Sequence, residues 1–349
     1  LSLLLFAGAV HVDLEEMAQR KWAIGIMATF GVVISTFLVG TVMYYIMQFA
    51  GVPIPFIWAL VFGSLISPTD PVAVLGLLKT IKIPPLLKAK IAGESLFNDG
   101  VGVVVFTIMV AIALGSGGGH GEEVNALTVI RLFLGEALGG AVLGIVAGYI
   151  AFWAMERIDE HNIEVLITLA LVFVAYAIAL RLHLSGPIAV VIAGLFIGNH
   201  GAKFAMSDNT REHVFQFWEL SDEILNSVLF LLIGLEVLVV SRDLLHLPIA
   251  VAAIPTALLA RYVAVAIPIK LLSVREKFTD GSIAILTWGG LRGGISVALA
   301  LSLPAGPEKS VILAATYAVV VFSIVVQGLT MKRLVGRYNF KGAGVEPKD

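Results

Sequence analysis

The chain is expected to fold as an all-α polytopic membrane protein with two inverted three-helix repeats, each containing a discontinuous helix. Three observations predict this. Hydrophobic residues make up 58% of the 349 and charged residues 14%, with a mean hydropathy of +0.97, whereas soluble domains run nearer half apolar and a quarter charged. Apolar stretches of about 20 residues, the length that spans a bilayer, recur along the chain. Segments rich in glycine and proline fall at matching places in two triplets of such stretches that enter the membrane from opposite sides.

The spans read in order are 22–48, 56–78, 91–114, 127–153, 163–180, 186–200, 222–240, 248–270, 280–303 and 309–331. The run from Leu1 to Val10 is followed by its positive flank, and no small-residue cleavage site comes after it. It therefore reads as the end of a spanning helix over 1–12 and not as a signal peptide, with earlier helices expected outside this sequence. The segment 207–221 mixes Phe215, Phe217 and Trp218 with charges and reads as an amphipathic helix on the cytoplasmic surface.

Lys and Arg in the short loops set the orientation. The alternate loops that begin with Arg20 and Lys21, together with the tail, hold 17 of the 23 basic residues; the opposite set holds Arg181, Arg242 and Lys309. The first set is accordingly cytoplasmic, as is the C-terminal tail, 332–349. With orientation assigned, 22–114 is a first core repeat, 127–240 holds interface and linker helices, and 248–331 is a second core repeat of opposite topology. The middle helix of the first is interrupted by Ser67-Pro68-Thr69-Asp70-Pro71, that of the second by Gly289-Gly290-Leu291-Arg292-Gly293-Gly294. Proline removes a backbone donor and glycine loosens a helix, and unwound backbone at membrane depth is tolerated only where it is buried or lines a wet cavity. One such break is an ordinary kink; a matched, inverted pair marks a site.

Composition excludes several classes of function. The absence of cysteine removes disulfides, thiolate metal sites and cysteine nucleophiles. A net charge of -2 gives no sign of nucleic-acid binding, and the seven histidines lie in loops or near helix ends without metal-like spacing. No cofactor is expected.

The strongest local signal is Gly93-Glu94-Ser95-Leu96-Phe97-Asn98-Asp99-Gly100, four polar residues opening an apolar span. Ser95 and Asp99 share one helical face, Glu94 and Asn98 the adjacent one. Asp99 lies roughly 12 Å into the span at helical rise, where a carboxylate is costly unless it faces a cavity or a partner. Asp70 sits in the first break, where an unwound segment frees backbone carbonyls, that of Thr69 among them, and where an acid also suits the start of the half-helix that follows. Arg292 is a cation at membrane depth and requires an anion. Pairing it with Glu94 leaves Asp99 free to titrate; the reverse pairing is the alternative. Glu136 and Arg131 read as interfacial, Glu236 as a snorkelling acid, Arg261 as a packing residue without an evident partner, and Lys79 to Lys90 as a cytoplasmic loop.

These motifs, with Ser185-Gly186-Pro187-Ile188-Ala189, Leu232-Ile233-Gly234-Leu235-Glu236 and Gly290 to Ser296, resemble in order those of the NhaP-like sodium/proton exchangers, over essentially the whole chain. The resemblance implies the antiporter fold and a homodimer in the cell membrane. It implies an ion-binding site of Asp99, Ser95, Thr69 (through its carbonyl), Asp70 and Asn98, with sodium at the first four, and a structural Glu94–Arg292 ion pair. Asparagine before the aspartate is similar to the electroneutral branch. One departure is Ala7, where many relatives carry an acid, which would leave the site one ligand poorer.

The expected mechanism has one carboxylate with two mutually exclusive partners, since burial favours the neutral acid and a nearby sodium ion favours the charged form. Potassium/proton exchange is the alternative within the class. A cation channel would require a continuous polar pore, and an intramembrane hydrolase a nucleophile with a base at depth; neither pattern is present.

Overall fold

A computed structural model describes residues 2–15, 21–70, 85–115, 126–240, 247–273 and 281–338. Every regular element among them is helical: α1 (Ser2–Val10), α2 (Lys21–Phe49), α3 (Phe56–Ile66), α4 (Pro85–Ala113), α5 (Ala126–Met155), α6 (His161–Arg181), α7 (Gly186–Phe196), α8 (Asp208–Val240), α9 (Leu247–Leu272), α10 (Ser282–Trp288), α11 (Gly294–Ser302), α12 (Pro307–Phe322) and α13 (Leu329–Gly336). A π-helical stretch, Ile197–Gly201, continues α7, and another, Ser323–Gly328, joins α12 to α13. Seven of the described helices are long and apolar enough to cross a membrane.

The chain divides into two compact units, Leu1–Ala18 with Val103–Leu232, and Gln19–Gly102 with Ile233–Asp349. In the first, α7 is the centre, packed by α1, α5 and α6. With no hydrophobic force to drive helices together in lipid, they associate through close backbone approach at small residues. Gly144 of α5 lies flush with the Ala189 carbonyl, and Gly198 with the Val10 carbonyl, so a Cβ at either place would strike backbone. Outward, α5 presents Leu138, Val142, Ile145, Tyr149 and Ile150, an apolar face that suits lipid and not water.

The segment expected as a separate surface helix, 207–221, is instead the first half of α8, which runs unbroken from Asp208 to Val240. Ser221 and Asp222 are tolerated within a helix, and neither glycine nor proline stands before Gly234 to end it. Val214 and Trp218 of this half are turned inward. Trp218 is fully buried, its ring centroid 4.6 Å from that of Phe6, and its indole N–H donates to Thr168 Oγ1 at 3.0 Å.

In the second unit, α2 packs against α3 and α9, α9 against α10 and α12, and α11 against α12 and α3. The two breaks stand where expected. α3 stops at Ile66, ahead of Pro68, and the backbone leaves helical geometry over Thr69 and Asp70. α10 stops at Trp288, Leu291 to Gly293 form no helix, and α11 restarts at Gly294. The second half of the span expected over 56–78, and Pro71 with it, lies outside the described residues, as do the side chains of Arg131, Glu236 and Lys79 to Lys90.

Candidate functional site

The two unwound segments meet. The Asp70 N–H, which has no helical acceptor, donates to the Leu291 carbonyl at 2.8 Å. This bond answers the demand that buried backbone groups be paired, and it joins the first repeat to the second at their breaks.

α4 lays its polar face on the first break. Asn98 Oδ1 accepts from the Thr69 N–H at 3.1 Å, which turns Nδ2 toward Thr69 Oγ1 at 2.8 Å and Glu94 Oε1 at 3.4 Å. The amide orientation follows from the backbone donor, the one partner whose role is fixed. Thr69 Oγ1 and Ser95 Oγ lie 2.9 Å apart. Asn98 thus clamps the unwound backbone, a task beyond the ion contact expected of it. Below the break, Ser67 Oγ bonds back to the Gly63 carbonyl at 2.6 Å.

Asp99 is buried beside this clamp, and its Oδ1 has no hydrogen-bond partner among the described residues. Asp70, Arg292 and Glu94 are the charged groups that act on it electrostatically. Leaving a buried carboxylate oxygen unpaired is costly, so an unpaired acceptor here marks a place for a proton or a cation. Among the described residues Glu164, in the first turn of α6, also lacks hydrogen-bond partners for both oxygens. Thr168, one turn on, spends its hydroxyl on the Val165 carbonyl and the Trp218 indole, so no comparable ligand cluster forms there.

The expected Glu94–Arg292 pair is not what the structure shows. Glu94 is held in a two-pronged bond by Arg261: Nη2 donates to Oε2 at 2.8 Å and Nη1 to Oε1. Arg261 also reaches the Leu286 carbonyl, near the C-terminal end of α10, through Nε at 3.2 Å and Nη2 at 3.0 Å. The planar guanidinium satisfies a carboxylate and a loose helix end together, which a point-like ammonium cannot do. Arg292 instead donates from Nη1 to the Pro68 carbonyl at 3.0 Å, holding the first break from the second. Gly290 leaves room for the Arg261 guanidinium and Gly293 for the Asp70 carboxylate; a Cβ at either would collide with those groups.

Two further residues, absent from the sequence reading, brace the second break. Arg292 N–H donates to Ser323 Oγ at 2.9 Å, Ser323 Oγ donates to Gln327 Oε1 at 2.6 Å, and Gln327 Nε2 donates to the Trp288 carbonyl at 3.0 Å. The π-helical stretch carries both side chains, and both are buried. The available signal was a polar pair four residues apart inside an apolar span. Gln327→Leu should leave the Trp288 carbonyl unpaired at about 1–3 kcal/mol. The expected result is a lower unfolding temperature in detergent and faster amide hydrogen exchange across 289–293, while exchange across α2 stays unchanged.

Of the residues singled out from sequence, Thr69, Ser95, Asn98 and Glu94 are therefore brought into one hydrogen-bonded cluster, with Asp99 beside it and Asp70 across at Gly293. No group of three His, Asp or Glu side chains is arranged to hold a metal among the described residues.

Helices broken in pairs, in triplets of inverted topology, with a buried charged cluster at their crossing, define a secondary membrane carrier. The chain belongs to the sodium/hydrogen exchanger family, whose transmembrane model matches residues 1–337. It is 51% identical over 341 residues to the Na(+)/H(+) antiporter NhaP of Pseudomonas aeruginosa, covering 97% of this chain and 79% of that protein. It is 37% identical over 335 residues to the Na(+)/H(+) antiporter NhaH of Halobacillus dabanensis, covering 91% and 76%. The fold matches that of the sodium proton antiporter MjNhaP1 from Methanocaldococcus jannaschii with a TM-score of 0.78, over 97% of this chain and 83% of that one, at 17% identity. The all-α antiporter fold expected from the sequence is the fold found.

Proposed function

We propose that this chain exchanges sodium for protons across a cell membrane, one for one, by presenting Asp99 alternately to either side. The carrying observation is the charge ledger of the buried cluster. Glu94, Asp99 and Asp70 contribute three negative charges when ionised, and Arg261 and Arg292 contribute two positive ones. One monovalent cation, or one proton on Asp99, brings the sum to zero. A core carrying net charge crosses a low-dielectric barrier at high cost, so each passage takes one sodium or one proton and moves no net charge.

Asp99 Oδ1 is the acceptor left open for either. Ser95 Oγ, Thr69 and Asp70 are the oxygen donors offered to sodium, a hard cation that prefers oxygen, and Asn98 secures the unwound Thr69. Sodium is cargo in this reading, and no resident metal or cofactor is needed. The names of the two relatives, both called sodium/proton antiporters, agree with it. The concentration of basic residues in alternate loops supports a cytoplasmic C-terminus, and the resemblance to the NhaP-like exchangers supports a homodimer in which the broken-helix triplets move.

Proteoliposomes with an acidic interior and a trapped pH dye test this reading. Addition of sodium outside should relieve quenching, at the same rate when the membrane potential is clamped at zero. Lowering the outside pH should raise the sodium concentration for half-maximal rate while leaving the maximal rate in place, because the ions compete for one site. A response to potassium in place of sodium would change the cargo. Voltage-driven sodium flux without a counter-gradient would sink the exchanger reading.

A further inference from the structure

The second unit has a cleft of about 920 Å³ apart from the Asp99 cluster, between the C-terminal half of α9, α10 and the end of α13. We propose that it seats the phosphodiester headgroup of one anionic phospholipid, held by Arg333 and Arg337.

The depth of the cleft is set by its walls. The apolar spans containing α9 and α13 end at Leu272 and Gly336, and the cleft is lined by Ile269, Leu334 and Arg337, from the last turns of those helices. It opens where hydrocarbon gives way to headgroups. Aromatic side chains favour that level, and Tyr338, just past the end of α13, forms part of the wall there, while Trp288 and Tyr262 line the cleft further from its rim. Trp288 is fixed by its indole N–H on Thr330 Oγ1 at 2.9 Å. Tyr338 lies against Gly281, whose φ of 82° and lack of a Cβ let the ring approach.

The charge of the cleft is one-sided. Arg333 and Arg337 are four residues apart on one face of the chain, both exposed, and neither pairs with an acid among the described residues. Among the described residues, none that lines the cleft is acidic. Two like charges at this spacing repel, and a phosphate between them converts repulsion into two charge-assisted bonds. Thr287, also in the wall, carries a hydroxyl without a hydrogen-bond partner. Ile269, Leu334 and Ile283 supply an apolar floor, of no use to a free inorganic anion and suited to the glycerol and first methylenes of a lipid. Basic pockets between spanning helices at a membrane face are where anionic headgroups bind.

Native mass spectrometry of the full chain, purified in neutral detergent and supplied with phosphatidylglycerol or phosphatidylcholine, tests the assignment. The unaltered protein should retain one more phosphatidylglycerol than Arg333→Gln/Arg337→Gln, and phosphatidylglycerol should raise its unfolding temperature more than it raises that of the variant. Phosphatidylcholine and inorganic phosphate should give neither effect. The charge-preserving pair Arg333→Lys/Arg337→Lys should keep the bound lipid, which separates loss of the site from loss of folding. Equal retention of phosphatidylglycerol in the Gln pair, equal binding of phosphatidylcholine by the unaltered protein, or a full thermal shift from inorganic phosphate alone would each overturn the proposal.

Discussion

Asp99→Asn should abolish sodium-driven proton movement while leaving the protein folded. The amide keeps the size and shape of the carboxyl group, so packing around a side chain that is 3% exposed is preserved. What changes is the ledger. With Glu94 and Asp70 ionised against Arg261 and Arg292, the cluster already sums to zero and needs neither ion. Breaking a buried charge pair by removing one partner costs about 3–5 kcal/mol, a loss of roughly 10²–10⁴-fold in sodium affinity. Because the amide has no proton to exchange at physiological pH, the second half of the cycle is lost as well. The measurement is dye dequenching in proteoliposomes beside thermal unfolding of the purified variant. Unchanged unfolding with dequenching at background is the expected pair of results. Retained exchange at normal sodium concentrations would remove Asp99 from the site.

The same cluster shows what the sequence made legible and what it did not. Spans, orientation and both breaks follow from local chemistry. Pro68 cannot donate to a helix ladder, glycines at 289, 290, 293 and 294 loosen the second helix, and four polar residues at the head of an apolar span have to face something. These rules act within a few residues of each other, so one sequence suffices to apply them. The arginine pairing is a matter of tertiary geometry. Two intramembrane cations, Arg261 and Arg292, and two acids in the middle of α4 allow more than one assignment. The structure gives the glycines flanking Arg292 other work: Gly290 makes room for Arg261, and Gly293 for Asp70. The rule that a buried cation requires an anion applies to Arg261 as much as to Arg292, and the structure satisfies it with Glu94. Hydropathy averaging hides one amide, Gln327, among valines. At Ser221 the composition of α8 changes although its backbone propensity does not.

A double-mutant cycle on Glu94 and Arg261 should show strong coupling, and one on Glu94 and Arg292 weaker coupling. Arg261→Met alone leaves a buried carboxylate unpaired and withdraws two donors from the Leu286 carbonyl, at a cost of about 3–5 kcal/mol. Glu94→Gln alone strands a buried guanidinium and is destabilising for the same reason. When both changes are made, neither stranded charge remains, and replacing a buried ion pair by neutral groups of similar volume is often close to neutral. The double variant should therefore unfold at a higher temperature than Arg261→Met, with coupling of about 0.5–3 kcal/mol, the range for residues in direct contact. The Leu286 carbonyl stays unpaired in both, so recovery is incomplete, and the shortfall reports the second task of Arg261. Arg292→Met should couple to Glu94→Gln more weakly, because Arg292 spends its hydrogen bond on the Pro68 carbonyl and meets Glu94 only through the electrostatic field. Coupling of Glu94 to Arg292 without coupling to Arg261 would reverse the assignment.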